Sequence, residues 1–251
     1  MRILLLSDIH ANIEALEACL EEAPKHDVVV NLGDIVGYGA SPNEVIERSR
    51  ELGGIVVRGN HDKACSGVSN MNDFNPIAGL AVLWTRTILD REKLTWLRDL
   101  PQGPLTVDGV DDAVFVHGSP ADEDEYLLML PDAQRLLDPH SPEVTFFGHT
   151  HVQGGFLAGK DDAAVIRPVF QAKDKVESYK FHLHRGSHYL VNPGSVGQPR
   201  DGDWRAAFAS FDSDAHCVTY YRVPYDVAGA QQRIRDADLP ERLASRLAQG
   251  K

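Results

Sequence analysis

The chain has 251 residues, of which 43% are hydrophobic and 25% charged, values that allow a sizeable core in an ordinary globular protein. Its formal net charge of −12 excludes the basic footprint that non-specific nucleic-acid binding needs, and it opposes anionic membrane surfaces. Cys19, Cys65 and Cys217 are odd in number and widely spaced, so they form neither a disulfide framework nor a CxxC metal pattern.

Residues 3–6 are a continuous apolar run, the pattern of a strand buried on both faces. The run is too short for a secretory h-region and no cleavage site follows it. No stretch is long enough to span a bilayer, so a cytoplasmic protein is expected. Asn12 is expected to cap a helix whose apolar residues Ile13, Leu16, Leu20 and Ala23 recur at helical spacing. Residues 28–30 form a second buried strand that ends at Gly33-Asp34. Ser41-Pro42-Asn43-Glu44 reads as a capping box with proline at the first helical position. This helix stops at Gly53-Gly54. Residues 55–57 make a third strand, ending at Gly59-Asn60. The order β-α-β-α-β is that of a parallel sheet with right-handed crossovers. Asn75-Pro76 opens another helix, with Ile77, Leu80, Ala81, Trp84 and Ile88 on one face, and Asp90 caps a shorter one through Leu97. Residues 114–116 and 144–147 are further buried strands, which deliver His117 and Gly148-His149. From His151 onward the period changes to two. Segments 163–170, 178–184 and 188–192 read as strands, and 204–212 with 216–223 as a hairpin around Asp212-Ser213-Asp214. Residues 226–248 read as helical and polar. No linker divides the chain, so a single domain over 1–251 is expected, with 157–187 as a flap or insertion.

Five short motifs lie at strand ends: Asp8-Ile9-His10, Gly33-Asp34, Gly59-Asn60-His61-Asp62, His117-Gly118 and Gly148-His149-Thr150-His151. In open α/β sheets, sites form beyond the carboxyl ends of the strands. Carboxylate, imidazole and an amide oxygen suit first-row divalent metals. Asp8 and His10 flank a turn and can reach one ion. Asp34 can bridge two ions with its two oxygens, Asn60 offers a carbonyl oxygen, and His117, His149 and His151 complete two shells. Two ions about 3.5–4 Å apart clamp a phosphoryl group and generate a hydroxide at neutral pH. His61 follows Asn60 and is placed to meet substrate, where it would stabilise the transition state or protonate the leaving oxygen. Asp62 is expected to orient His61 by accepting a ring N–H; the blander alternative is a cap for the next segment. Each motif alone is a common turn. Together, at the ends of five strands, they favour a metal centre.

The order and spacing of these motifs over residues 1–152 resemble the calcineurin-like metallophosphoesterases. Asn192-Pro193-Gly194-Ser195-Val196-Gly197-Gln198-Pro199-Arg200 resembles the C-terminal signature of the compact bacterial and archaeal phosphodiesterases among them. The resemblance implies an α/β fold, a four-layer αββα sandwich of two mixed β-sheets flanked by helices. It implies Asp8, His10, Asp34 and His151 as ligands of one metal, Asp34, Asn60, His117 and His149 as ligands of the other, and His61 as the catalytic histidine. Two divalent ions per chain are expected, Mn²⁺ by preference, with Fe, Ni, Co, Zn or Mg as alternatives. The calcineurin-type protein phosphatases carry an arginine beside the G-D motif. Gly33-Asp34-Ile35-Val36-Gly37-Tyr38 has none, which leaves phosphate recognition to the metals, His61 and Arg200.

Tyr38 either lines the cleft, stacking on a substrate, or packs on its neighbours. Arg200 either contacts a substrate phosphate or only shapes a loop with Pro199. Asn192 and Ser195 read as loop supports. His182, His184 and His188 read as part of a solvated flap, since no carboxylate lies at fixed spacing from them. The run Asp122-Glu123-Asp124-Glu125 reads as a solvated helix start turned away from the site, with Tyr126 behind it near the cleft. The function expected is hydrolysis of small or nucleotide-like phosphodiesters by a metal-generated hydroxide, with the flap over 157–187 and loops around 38–40 and 66–75 setting specificity. The alternatives are a phosphomonoesterase, a dinucleoside polyphosphate hydrolase and a non-catalytic metal-binding scaffold, which the presence of His61 disfavours. The partner expected is a small anionic phosphoester, with no stable nucleic-acid binding and no membrane, in a monomer or homodimer.

Overall fold

In the computed structural model the apolar run after Met1 becomes β1 (Arg2–Leu6), which is buried along most of its length. The described residues are 1–71, 74–137, 140–159 and 163–251. Residues 72–73 of the expected specificity loop and 160–162 of the expected flap lie outside them. The helix α1 (Ile13–Glu22) is capped by Asn12, whose side chain accepts from Ala15 N at 3.1 Å. After β2 (Val28–Asn31), α2 (Pro42–Leu52) begins at its proline, but the expected Ser41 capping box does not form. Ser41 sits at φ −118°, ψ 49°, outside the extended region that aims a capping oxygen at the first turn, and its Oγ is buried without a partner. Next come β3 (Ile55–Val56) and α3 (Asn60–Ser66). Asn75 and Asp90 cap α4 (Pro76–Ile88) and α5 (Arg91–Arg98) as expected.

A hairpin of β4 (Leu105–Val107) and β5 (Val110–Phe115) follows, turning at Asp108-Gly109 with Gly109 at φ +82°. The strand expected over 114–116 thus starts earlier: the acidic pair Asp111-Asp112 interrupts the apolar run, and the pairing with β4 resumes at Val110 after a shift of register. The short α6 (Leu130–Gln134), β6 (Val144–Phe146), β7 (Gly154–Ala158), β8 (Ala163–Ile166), β9 (Glu177–His182) and β10 (His188–Asn192) lead to the hairpin β11 (Ala206–Asp212) and β12 (Cys217–Val223). The polar helix expected over 226–248 is two helices, α7 (Val227–Asp236) and α8 (Glu241–Ser245), parted at Leu239-Pro240. Proline lacks the N–H that a continuous helix would need there.

The strands form two six-stranded sheets, ordered β3-β2-β1-β11-β12-β9 and β4-β5-β6-β10-β7-β8. The first has a parallel side, β1–β2–β3, and an antiparallel side; the second has a parallel centre, β5–β6–β10, with antiparallel strands on both flanks. The strands β8 and β9, from the segment expected as a flap, are the outer strands of these sheets. The period of two in β1 sorts the layers. Ile3 and Leu5 enter the core between the sheets, with Phe115, Phe146, Val191 and Phe211. Leu4 and Leu6 face a second core beneath α1 to α5, α7 and α8. The outer face of the second sheet is covered by α6 and its flanks through Leu127, Ala133, Phe147 and Phe156. The order is therefore helix, sheet, sheet, helix, with a thin fourth layer. Cys19, Cys65 and Cys217 are buried free thiols, and burial pushes all three upward in pKa. Among the described residues no helix is long and apolar enough to cross a membrane.

Phe146 joins the sheets, stacking on Phe115 at 5.2 Å and meeting Phe211 at 5.1 Å. Phe146→Ala should cost about 3–5 kcal/mol in urea unfolding, the usual range for truncating a buried aromatic. A loss under about 1 kcal/mol would contradict this account of the inter-sheet core.

Candidate active site

The loops after β1, β2, β6 and β10, together with the start of α3, meet at one edge of the sandwich. The first two are laced backbone to backbone: Asp8 N donates to Gly33 O and His10 N to Asp34 O, both at 2.9 Å. The loop after β10 closes on them. Ser195 Oγ donates to Asp8 O at 2.7 Å, and Asn192 Nδ2 donates to Gly148 O at 2.8 Å. Asn192 and Ser195 are thus loop supports. Asp8, His10, Asp34, His149 and His151 all have positive φ, between 48° and 64°. For non-glycine residues this left-handed region is sparsely populated, and several such residues in one place mark a strained, functional constellation. Gly59 has a different constraint. A Cβ there would lie 2.1 Å from Asp34 Oδ1.

Two groups of donors result, with ligand atoms within 4.8 Å of one another in each: Asp8, His10, Asp34 and His151, and Asp34, His117 and His149. Asp34 belongs to both. Its Oδ2 lies 3.6 Å from His10 Nε2 and 3.5 Å from His117 Nε2. Asn60 Oδ1 is 3.3 Å from His117 Nε2 and so adjoins the second group. His182, His184 and His188 belong to neither group.

Backbone carbonyls set the direction of each imidazole. His10 Nδ1 meets Val36 O, His117 Nδ1 meets Leu32 O, His151 Nδ1 meets Gln198 O and His149 Nε2 meets Asp124 O, at 2.6–3.1 Å. At His10, His149 and His151 the outer nitrogen therefore carries the proton and the inner one presents a lone pair, the second-shell pattern of metal-binding histidines, while His117 holds a second proton on its inner Nε2 as long as no ion is bound. These inner nitrogens crowd. His10 Nε2 is 3.0 Å from His151 Nε2, and His117 Nε2 is 3.1 Å from His149 Nδ1. The facing lone pairs of His10 and His151 repel unless a cation lies between them, and the proton that His117 turns toward His149 occupies a place an ion can take, so the residues present fit divalent ions.

The charges agree. Burial lifts the Asp8 carboxyl to about 7, with His117 opposing and Asp34 adding to the rise. Burial would also raise Asp34, but His117, His61 and His10 hold it well below the usual carboxylate range. Burial pushes His10 and His151 well below the usual imidazole range and His149 to about 3. For His117, burial is outweighed by Asp34 and Asp8, which lift it to about 10. A place that holds a proton this firmly beside two carboxylates also attracts a metal ion.

His61 stands beside the two groups. Its ring packs on Tyr38 at 4.3 Å, His10 at 4.8 Å and Phe74 at 4.8 Å. Burial lowers its pKa to about 4. The expected Asp62–His61 bond is not made: His61 Nδ1 is buried with no partner. The Asp62 carboxylate instead accepts the backbone N–H groups of Asp34, Ile35, Val36 and Gly59 at 2.9–3.2 Å. Asp62 is the third residue of α3, so its side chain reaches back to the N–H of the capping residue Gly59 and across to the loop after β2, which makes it a cap as well as a brace. Asp62 fixes the two loops that carry Asp34 and Asn60.

His61, Asn60, Tyr38, Phe74, Tyr126 and His149 line a cleft of about 340 Å³. The Tyr126 ring lies 3.8 Å from that of His149. Arg200 Nη2 reaches Tyr38 Oη at 3.4 Å. The acidic run 122–125 is not a solvated helix start. Lys63 Nζ binds Glu123 at 2.9 Å and Asp124 at 2.6 Å, and Arg58 binds Glu123 at 3.1 Å. The run is pinned to α3, which places the Asp124 carbonyl under His149. The placement of Arg58 and Lys63 on either side of Gly59-Asn60-His61-Asp62 was the signal for this, a charge complement to the acidic run. The carbonyl acceptors and the Phe74 contact left no such signal.

The family model for the calcineurin-like phosphoesterase superfamily domain matches residues 1–215. An uncharacterised protein of Methanocaldococcus jannaschii is 33% identical over 253 residues, covering 99% of this chain and 98% of that protein. The crystal structure of a metallophosphoesterase from Sphaerobacter thermophilus is 39% identical, covers 100% of this chain and 99% of its own, and superposes with a TM-score of 0.78. A hypothetical protein from Pyrococcus horikoshii, at 22% identity and the same TM-score of 0.78 over 100% of this chain and 98% of its own, shares the fold. With two mixed sheets and two Asp/His groups joined through one aspartate, this chain belongs to the calcineurin-like phosphoesterase superfamily.

Proposed function

We propose that the chain is a dinuclear-metal phosphodiesterase acting on small or nucleotide-like diesters. Asp8, His10, Asp34 and His151 would hold one ion, and Asp34, Asn60, His117 and His149 the other. The observation that carries the reading is the Asp34 carboxylate shared by two groups of inward-facing imidazoles beside His61. When bound, such ions polarise a phosphoryl oxygen and supply a nucleophile at neutral pH. Mn²⁺ suits the mixed carboxylate and imidazole donors and is the ion for the tests below.

His61 is neutral at neutral pH. Its buried Nδ1 has no acceptor, and an orphan N–H is rarer than an orphan acceptor, which assigns the ring proton to Nε2. A neutral Nε2–H donates a hydrogen bond to charge developing on the phosphoryl group. Tyr38 and Arg200 border the same place, and Asn60 and His61 would contact substrate directly. Asp62 acts through the backbone it holds. The size and lining of the cleft support the diester reading. Its volume of about 340 Å³ falls within the range of about 300–1,000 Å³ typical of organic-ligand sites, and its lining includes the aromatic rings of Phe74 and Tyr126. Such walls suit a substituent on each side of the phosphorus.

With Mn²⁺, the protein should hydrolyse bis(p-nitrophenyl) phosphate faster than p-nitrophenyl phosphate; the reverse order would contradict the diester preference. His61→Ala should keep both metals by elemental analysis and lose about 10²–10³ in kcat. An unchanged rate would remove His61 from the chemistry. Metal loading should also release protons. His117, at about 10, is protonated in the metal-free protein at neutral pH, and the ion takes the proton's place. The affinity of that ion therefore falls as pH falls below 10, by about tenfold per unit for one displaced proton. Calorimetry in buffers of different ionisation enthalpy should read about one proton or more per chain, and none released would contradict the assignment of His117.

A further inference from the structure

Arg200 follows β10 by a loop, and Arg246 lies between α8 and a 3₁₀ turn at Leu247–Gln249. Far apart in sequence, their guanidinium carbons both lie 5.7 Å from the centre of the Tyr38 ring. Tyr38 is part of the wall of the metal centre, 4.7 Å from His10 and 4.3 Å from His61 between ring centroids. Its backbone is held at φ +60°, a strained conformation for an aromatic residue. The ring is a platform on which two cations converge.

Arg200 bonds to Tyr38 Oη and to Gln198 Oε1 at 3.2 Å, and its Nε is buried without an acceptor. Arg246 Nε donates to the main-chain oxygen of Lys251, the last residue of the sequence. Among the described residues, no aspartate or glutamate pairs with either. The buried arginines elsewhere are treated differently: Arg205 is held by Asp203 and Glu177, and Arg222 by Asp201. In a chain of net charge −12, carboxylates are plentiful, so two guanidinium groups on one tyrosine ring with no aspartate or glutamate partner among the described residues stand out. Their proximity is costly. Burial and then the charge of Arg200 lower the pKa of Arg246. An anion within reach of both would ease that cost and could satisfy the free Nε of Arg200. Planar guanidinium forks match the oxygens of a phosphoryl group bidentately. The pair is also close enough to the centre for the charge of Arg200 to act on Asp8, His10 and His61.

We infer that Arg200 and Arg246 form an anion subsite beside the metal centre that takes a second phosphoryl group, so that the preferred phosphoester is an organic di- or polyphosphate. The inference rests on the phosphoesterase reading above and adds Arg246 as a specificity residue. The phosphoryl group being cleaved lies over the two ions, and its neighbour lies on the arginine pair.

Methylenediphosphonate and methylphosphonate are non-hydrolysable probes for the two cases. Titrated into the Mn²⁺-loaded protein, the diphosphonate should bind more tightly. Arg246→Gln should reduce that preference about tenfold to hundredfold, the effect of losing one charge-assisted contact. Arg246→Lys should recover part of it, since lysine restores the charge but not the fork. The ratio of kcat/KM for bis(p-nitrophenyl) pyrophosphate over bis(p-nitrophenyl) phosphate should fall in parallel. Equal losses for both phosphonates, or an unchanged ratio in Arg246→Gln with its metal content and circular dichroism intact, would overturn the subsite and leave the phosphoesterase reading standing. A wild-type protein that turns over no phosphoester and binds neither probe would overturn both.

Discussion

One buried carboxylate governs this structure. Asp34 Oδ1 accepts the His61 N–H at 2.8 Å, and its Oδ2 lies between His10 and His117. Every neighbouring choice follows from that position. Gly59 has no side chain because any Cβ would strike Asp34 Oδ1. Asp62 binds the N–H of Asp34 itself and thereby fixes where the carboxylate starts. The charge of Asp34 is kept in spite of burial by three imidazoles around it. A buried anion without such partners would take up a proton, and the bridge between the two groups would be lost.

The cost of this arrangement is spread through the fold. Residues with left-handed backbones, crowded imidazole lone pairs and a buried carboxyl raised to about 7 all work against the ion-free state. The two cores on either side of the first sheet offset them. They place apolar side chains from β1 alternately between the sheets and under the helices, so the strand end that carries Asp8 is anchored on both faces. The lacing of the loops after β1, β2 and β10 then leaves little freedom for relaxation. A preorganised site of this kind binds ions without much reordering.

The parts of the structure legible in the sequence are those set by local rules. The runs that became β1, β2 and β3, and the caps Asn12, Asn75 and Asp90, depend on neighbouring residues only. The ligand-type residues were legible because each follows a strand directly. Features set at a distance were not. The Ser41 box failed because the chain enters α2 from a loop already tied to Ala11 O. The acidic run 122–125 read as solvated because its cations, Arg58 and Lys63, lie roughly sixty positions earlier. Asp62 read as the partner of His61 because sequence adjacency hides that its carboxylate points backward to the backbone. Arg246 carries no motif at all, and only the folded chain brings it to Tyr38.

The central claim is that Asp34 joins two metal sites. Anomalous diffraction from crystals loaded with Mn²⁺ tests it most directly. The account predicts two peaks about 3.5–4 Å apart, one beside Asp8, His10 and His151, the other beside Asn60, His117 and His149, with the Asp34 carboxylate touching both. A single peak, or two peaks that Asp34 does not connect, would contradict it.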